Sequence, residues 1–298
     1  MTPIPFTAAA LARTRWVRTA SARAVGAVLA VAAAVLAGPA QGAITVFEAA
    51  AALPGGLTPT RDAFRAAVGG GNVAALHGDF GGLRREINWD GVGNAFAIPA
   101  ALPANFFNTT SPRGAVFSSP TPGASFAVSA KAGAGPAILF GFPDDLQTFS
   151  AERLFASVGS RITDIAFFVP GTSTPAATRA FGAVFVDVET NNAVDFTTVE
   201  FFNPANALIF SRTVLTAGNQ GLSFLGGVAT AGEQIARVRI TTPDNFLLSN
   251  GVRANEAHDF VVMDDFLYGT PAAVPEPGAW AMALLGLGAL GWKARRRG

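Results

Sequence analysis

No cysteine occurs anywhere in the 298 residues, histidine appears twice, and a single tyrosine stands against 25 phenylalanines. Without cysteine the fold has no disulfide staples and no thiolate for metal binding or nucleophilic attack. With only His77 and His258, a His-Glu-x-x-His zinc helix is impossible and a serine triad has two bases to choose from. Gly91-Val92-Gly93 and Gly133-Ala134-Gly135 lack the third glycine of a dinucleotide fingerprint. Gly221-Leu222-Ser223-Phe224-Leu225 lacks the second glycine of a nucleophile elbow, and no phosphate loop occurs. A pair of carboxylates could still act on a glycoside, but with this many acids the possibility singles out no residue. The expectation is a protein that is not an enzyme.

The ends of the chain are more informative. Residues 1–42 read as an export signal peptide: Arg13, Arg15, Arg18 and Arg23 form a positive start without any acid, and Ala24 to Ala37 is an apolar run. Gly38-Pro39 then breaks the helix, and Ala40-Gln41-Gly42 offers the small residues a signal peptidase needs. No Arg-Arg pair points to the twin-arginine route.

At the other end, 271–298 has three parts in fixed order: Pro275-Glu276-Pro277, an apolar stretch from Gly278 to Trp292, and the cations Lys293, Arg295, Arg296 and Arg297. The apolar stretch is 15 residues, short of the ~17–20 a full span needs. Trp280 and Trp292 bracket it as interfacial rings, and the cations after it would stop transfer at the cytoplasmic face. This order resembles the PEP-CTERM sorting signal of Gram-negative, biofilm-forming bacteria. The resemblance implies a transient inner-membrane intermediate, held by a C-terminal hydrophobic helix, whose tail an exosortase removes. It implies a cell-surface or extracellular destination.

Removing both ends changes the charge. Of 21 Lys and Arg, four lie in the leader and four in the tail, leaving 13; of 20 Asp and Glu only Glu276 is lost, leaving 19. The body is therefore near −6, which argues against nucleic acid as a partner and suits divalent cations.

Residues 43–82 read as a short helical lead-in. Thr58 caps a helix that begins at Pro59, carries Ala63, Phe64, Ala67 and Val68 on one face and ends at Gly69. Ala43 to Ala52 reads as a second short helix. Over 83–270 the texture changes to short Phe-, Val- and Ile-rich segments separated by turn residues, such as Ile162–Val169, Ala180–Val188 and Asp259–Tyr268, with Ala137–Gly141 among them. No amphipathic crossover helix lies between them, so the fold class is all-β, an antiparallel β-sandwich. The order from Asp195 to Tyr268 is similar to the C-terminal half of exported bacterial jelly-roll, galactose-binding-like domains and carbohydrate-binding modules. That likeness implies a sandwich that binds extracellular polysaccharide.

The candidate metal residues are Asp79 and Asp90 around the first sandwich strand and Asp259, Asp264 and Asp265 around the last. Adjacent first and last strands would bring these carboxylates to one edge, and calcium takes oxygen ligands of this kind. Consecutive Asp264 and Asp265 should face opposite sides of a strand, so regular geometry allows one of them to ligate. The function expected is a structural or adhesive surface protein, with a carbohydrate-binding module as the alternative and a glycan-active enzyme behind it.

Overall fold

Alternation of large apolar residues with turn signals produces fifteen strands in the computed structural model, which describes residues 44–135 and 137–274. The signal peptide, the sorting residues Pro275, Glu276 and Pro277, and the tail residues Trp280, Trp292, Lys293, Arg295, Arg296 and Arg297 lie outside the described residues. In chain order the strands are β1 (Ile44–Ala51), β2 (Asp79–Phe80), β3 (Arg84–Ile87), β4 (Ala115–Ser118), β5 (Ser125–Val128), β6 (Phe155–Val158), β7 (Ile162–Phe167) and β8 (Ala176–Ala177). They continue with β9 (Ala180–Val186), β10 (Thr198–Phe202), β11 (Leu208–Thr213), β12 (Leu222–Ala229), β13 (Arg237–Thr241), β14 (Val262–Gly269) and β15 (Ala272–Ala273). Two helices, α1 (Pro54–Val68) and α2 (Phe106–Thr109), accompany them.

The larger sheet runs β1-β12-β9-β14-β3-β2, with β6 joining β14 and β5 joining β6; the second runs β11-β10-β13-β7-β4. All these pairings are antiparallel. Phenylalanines fill the space between the sheets: Phe117 of β4 lies 5.0 Å from Phe155 of β6, and Phe167 of β7 lies 5.4 Å from Tyr268 of β14. The antiparallel sandwich expected from the sequence is what forms.

The larger sheet is buried on both faces, and this decides where α1 goes. Along β9, Phe181, Ala183 and Phe185 enter the core between the sheets, while Ala180, Val184 and Val186 enter a second core beneath α1. Leu57, Phe64 and Val68 of α1 complete that second core. Phe64 sits where β9 and β12 carry glycine: a Cβ on Gly226 would stand 2.7 Å from its Cδ2.

Three expectations are corrected. Residues 44–52 form no helix; β1 pairs along its whole length with β12, because Ile44, Thr45, Val46 and Phe47 favour the extended chain and the sheet edge supplies a partner. The lead-in is thus built into the larger sheet. Helix α1 starts at Pro54, not Pro59, with Leu53 as its N-cap, so Thr58 is no cap; its hydroxyl instead donates back to the Pro54 carbonyl (3.1 Å). Residues 137–141 form no strand; Leu139–Gly141 is a tight helical turn that delivers Phe140 to the second core.

Candidate functional site

The pairing of β3 with β14 brings the first and last sandwich strands side by side, as expected. Their aspartates nevertheless do not gather. Asp79 accepts from the Gly82 N–H (2.8 Å) and pairs with Arg85 (3.2 Å). Asp90 accepts from the N–H groups of Glu152 (2.5 Å) and Arg153 (3.0 Å), and burial pushes its carboxyl up, partly offset by those two bonds. Asp264 holds the Phe149 N–H (2.7 Å) and the Ser150 N–H (3.2 Å). Asp79 fastens its own turn, while Asp90 and Asp264 hold the two ends of one loop, residues 149–153, which is the ordinary use of an Asp side chain beside a turn. Among the described residues no group of three or more His, Asp or Glu could hold a metal ion together.

Asp264 and Asp265 break the alternation rule for a visible reason. The β9–β14 register shifts between Met263 and Phe266, and such a bulge re-aims side chains. Both carboxylates therefore reach the Ser150 hydroxyl, at 3.0 and 2.7 Å. Burial, and then the neighbouring Asp265, hold Asp264 well above the usual carboxylate range; burial also raises Asp265. The bulge frees the Asp264 carbonyl, which accepts from the Trp89 indole N–H (2.7 Å). Trp89 is itself a core residue, stacked on Phe155 with ring centroids 4.3 Å apart.

Two of the concave regions are lined by arginine side chains. The larger, about 670 Å³, lies beside α1 and is lined by Arg61, Arg65 and Arg84. These arginines already have partners: Arg61 pairs with Asp62, Arg65 with Glu86, and Arg84 with Glu86 and the Gly71 carbonyl. Buried Arg84 serves as the cap on the C-terminal end of α1.

The smaller pocket, about 250 Å³, is different. Phe106 and Phe107 of α2 and the rim of Trp89 supply its apolar lining, while His77, Thr110, Ser111 and Arg113 supply its polar groups. The Arg113 guanidinium lies over the Phe107 ring (5.0 Å), its Nε is buried without a hydrogen-bond partner, and no carboxylate pairs with it among the described residues. Burial lowers its pKa, the direction expected of a cation without an anion beside it. His77 Nδ1 lies 3.4 Å from Ser111 Oγ, an outer-limit contact at an exposed position. No acid orients the His77 ring among the described residues, so the pair lacks the third member of a nucleophilic triad. His258 pairs with Asp244 and Asn255, with no hydroxyl in reach. The arrangement can hold a small anionic group against aromatic rings. Sequence reasoning did not find Arg113, because an isolated arginine in a loop has no motif; only α2 and the β3 approach bring it to His77.

No curated protein matches the chain. Solved structures similar to it include a mutant of the lectin binding domain of lectinolysin complexed with Lewis b, 10% identical over 49% of this chain and 92% of that one, with a TM-score of 0.21. Another is the enzymatically active domain of bacteriophage CBA120 tailspike protein 4, 11% identical over 60% of this chain and 21% of that one, with a TM-score of 0.23. Neither likeness carries an argument about fold or ligand. The match that does is at the C-terminus: residues 273–297 are a PEP-CTERM protein-sorting motif, which implies exosortase processing and export to the cell surface.

Proposed function

We propose that this is an exported surface protein, trimmed by an exosortase, whose β-sandwich works by binding and structure and not by catalysis. The sorting motif carries the reading. It covers residues 273–297. The test is the intact mass of the protein recovered from its host. A species that has lost the leader and ends near Pro277 is expected. A membrane-bound species that retains Trp292 and the terminal arginines would overturn the reading.

The Arg113 pocket favours a second reading, in which the body binds an extracellular polysaccharide bearing carboxylate groups. A guanidinium without a paired acid suits the carboxylate of a uronate, to which its fork can donate. Calorimetric titration with a uronate oligosaccharide should show binding that weakens with salt and falls at least tenfold, on the order of a lost charged hydrogen bond, in Arg113→Gln. Equal affinity for a neutral oligosaccharide would sink the idea.

A further inference from the structure

One end of the sandwich holds an acidic cluster that no sequence pattern marks. Asp187 follows directly on β9, Asp195 and Thr197 lead into β10, and Asp259 precedes β14. Strands β9 and β14 are neighbours in the larger sheet, with Val186 opposite Val262, while β10 belongs to the other sheet. The fold thus draws residues from both sheets to one place.

The bonding there is half complete. Asp195 Oδ2 accepts from the Thr190 hydroxyl (2.9 Å) and from the Asp259 N–H (3.2 Å). Asp259 Oδ2 accepts from the Glu189 N–H (2.7 Å). The other oxygen of each carboxylate, Asp195 Oδ1 and Asp259 Oδ1, is buried with no hydrogen-bond partner, as is Thr197 Oγ1. Asp195 and Asp259 are each 6% exposed and Thr197 is fully buried. Glu189 adds further negative charge facing Asp259, and no Arg, Lys or His forms an ion pair with Asp187, Glu189, Asp195 or Asp259 among the described residues. Buried carboxylate oxygens without donors cost several kcal/mol each in ordinary circumstances. Native proteins satisfy such atoms, with ordered water or an ion where side chains do not reach.

We propose that this end of the sandwich binds one divalent cation of calcium size, held by Asp195 Oδ1 and Asp259 Oδ1. Thr197 Oγ1 is the candidate third ligand. The remaining positions of a six- to eight-oxygen shell come from backbone carbonyls and water, as hard cations allow. Only two carboxylates are used, since among the described residues no three of these acids are placed to hold one ion together. Of the sequence candidates the proposed site uses only Asp259; its partner is Asp195, 64 positions away, and not Asp79 or Asp90, which flank β3, or the β14 pair Asp264 and Asp265. The loop from Asp187 to Thr197 would be fixed by the ion, joining the two sheets at that end.

The experiment is a calorimetric and thermal-shift titration of the processed protein, purified from its host and treated with chelator, using CaCl2 at pH 7.5. One ion per chain is expected, with Kd between about 10 μM and 1 mM, the range of sensors through extracellular modules, and a raised Tm. MgCl2 should bind at least tenfold more weakly, since it demands a tighter octahedron. Asp259→Asn and Asp195→Asn should each weaken calcium binding at least tenfold, whereas Asp62→Asn, at the exposed face of α1, should not. If neither site variant folds, the wild-type titration still decides. Absence of calcium heat and Tm change up to about 10 mM, ten times the weakest Kd typical of extracellular modules, would overturn the proposal. So would a Tm that rises on acidification to pH 5 with calcium adding nothing, which would mean a shared proton satisfies the two oxygens. Undiminished binding in a folded Asp259→Asn variant would also overturn it.

Discussion

Arg84 is the residue on which the α1 end of the structure turns. It is 1% exposed, yet it carries a full charge. Its guanidinium donates to the carbonyls of Gly69 and Gly71 and to Glu86 Oε1 (2.6 Å), and it lies 4.4 Å from the Phe80 ring centre. Replacing it with Met keeps the apolar stem but leaves Glu86 and two carbonyls short of donors. Arg84→Met should therefore cost about 3 kcal/mol, the scale for breaking one side of a buried pair, measured by urea denaturation. Lys would restore less than half of that, since one ammonium cannot serve three acceptors in a fork.

The Asp264–Asp265 pair gives a prediction about pH, also at this scale. Both carboxyls bind protons more tightly in the folded state than the ~3.9 of an unfolded aspartate. The folded state thus binds more protons above that pH, and stability falls as pH rises from about 4 through the raised folded-state values. Glu86 faces Asp265 and adds to the effect, whereas Arg65 opposes it. Asp265→Asn removes the like charge and leaves an amide able to donate to Asp264. Urea midpoints at pH 5 and pH 8 should differ less in that variant than in the wild type. An unchanged difference would place the proton elsewhere.

Among elements, α1 shows how side-chain volume sets position. Phe64 packs edge-on to Phe47 and Phe224, with centroids 5.7 and 5.5 Å away, over the glycines of β9 and β12. Gly226→Ala would press a methyl against the ring, and overpacking of this kind costs about 1–3 kcal/mol. Phe64→Leu should relieve part of it, so the double variant should be more stable than the sum of the single losses predicts. Additive losses in denaturant midpoints would show that α1 shifts freely instead.

The same packing explains what could be read from the sequence. Strands β9, β12 and β14 are apolar on both sides because α1 and the loops cover the outer face, so their Phe-, Val- and Leu-rich runs stand out. Strand β1 was hidden by its alanines: Ala49, Ala50 and Ala51 fit a helix as well, and only the free edge of β12 decides. The β14 bulge left no mark in Met263-Asp264-Asp265-Phe266, because a register shift is a property of two strands. Asp195 and Asp259, separated by 64 positions, meet only after both sheets have formed. The sorting motif, by contrast, is local in sequence and needs no fold to be recognised.

At the scale of the whole molecule, charge is segregated along the chain. Arg13, Arg15, Arg18 and Arg23 stand at one end and Lys293, Arg295, Arg296 and Arg297 at the other, both where an anionic membrane surface attracts them. The body between them is near −6, so the two ends and the body have opposite signs. Loss of both ends should change how the protein behaves in an electric field. The intact chain has an isoelectric point near 8.3. The processed form should focus below about pH 6, where net negative proteins with few cations settle. Isoelectric focusing of surface and membrane fractions from the host would separate the two. An acidic surface species beside a basic membrane precursor is the expected pattern. A basic species at the surface would mean that the arginine-rich ends are retained there, and trimming would not be part of the route. A body this acidic also repels anionic polysaccharide, so any uronate it binds must be held locally at Arg113, and added salt should weaken that contact while relieving the wider repulsion.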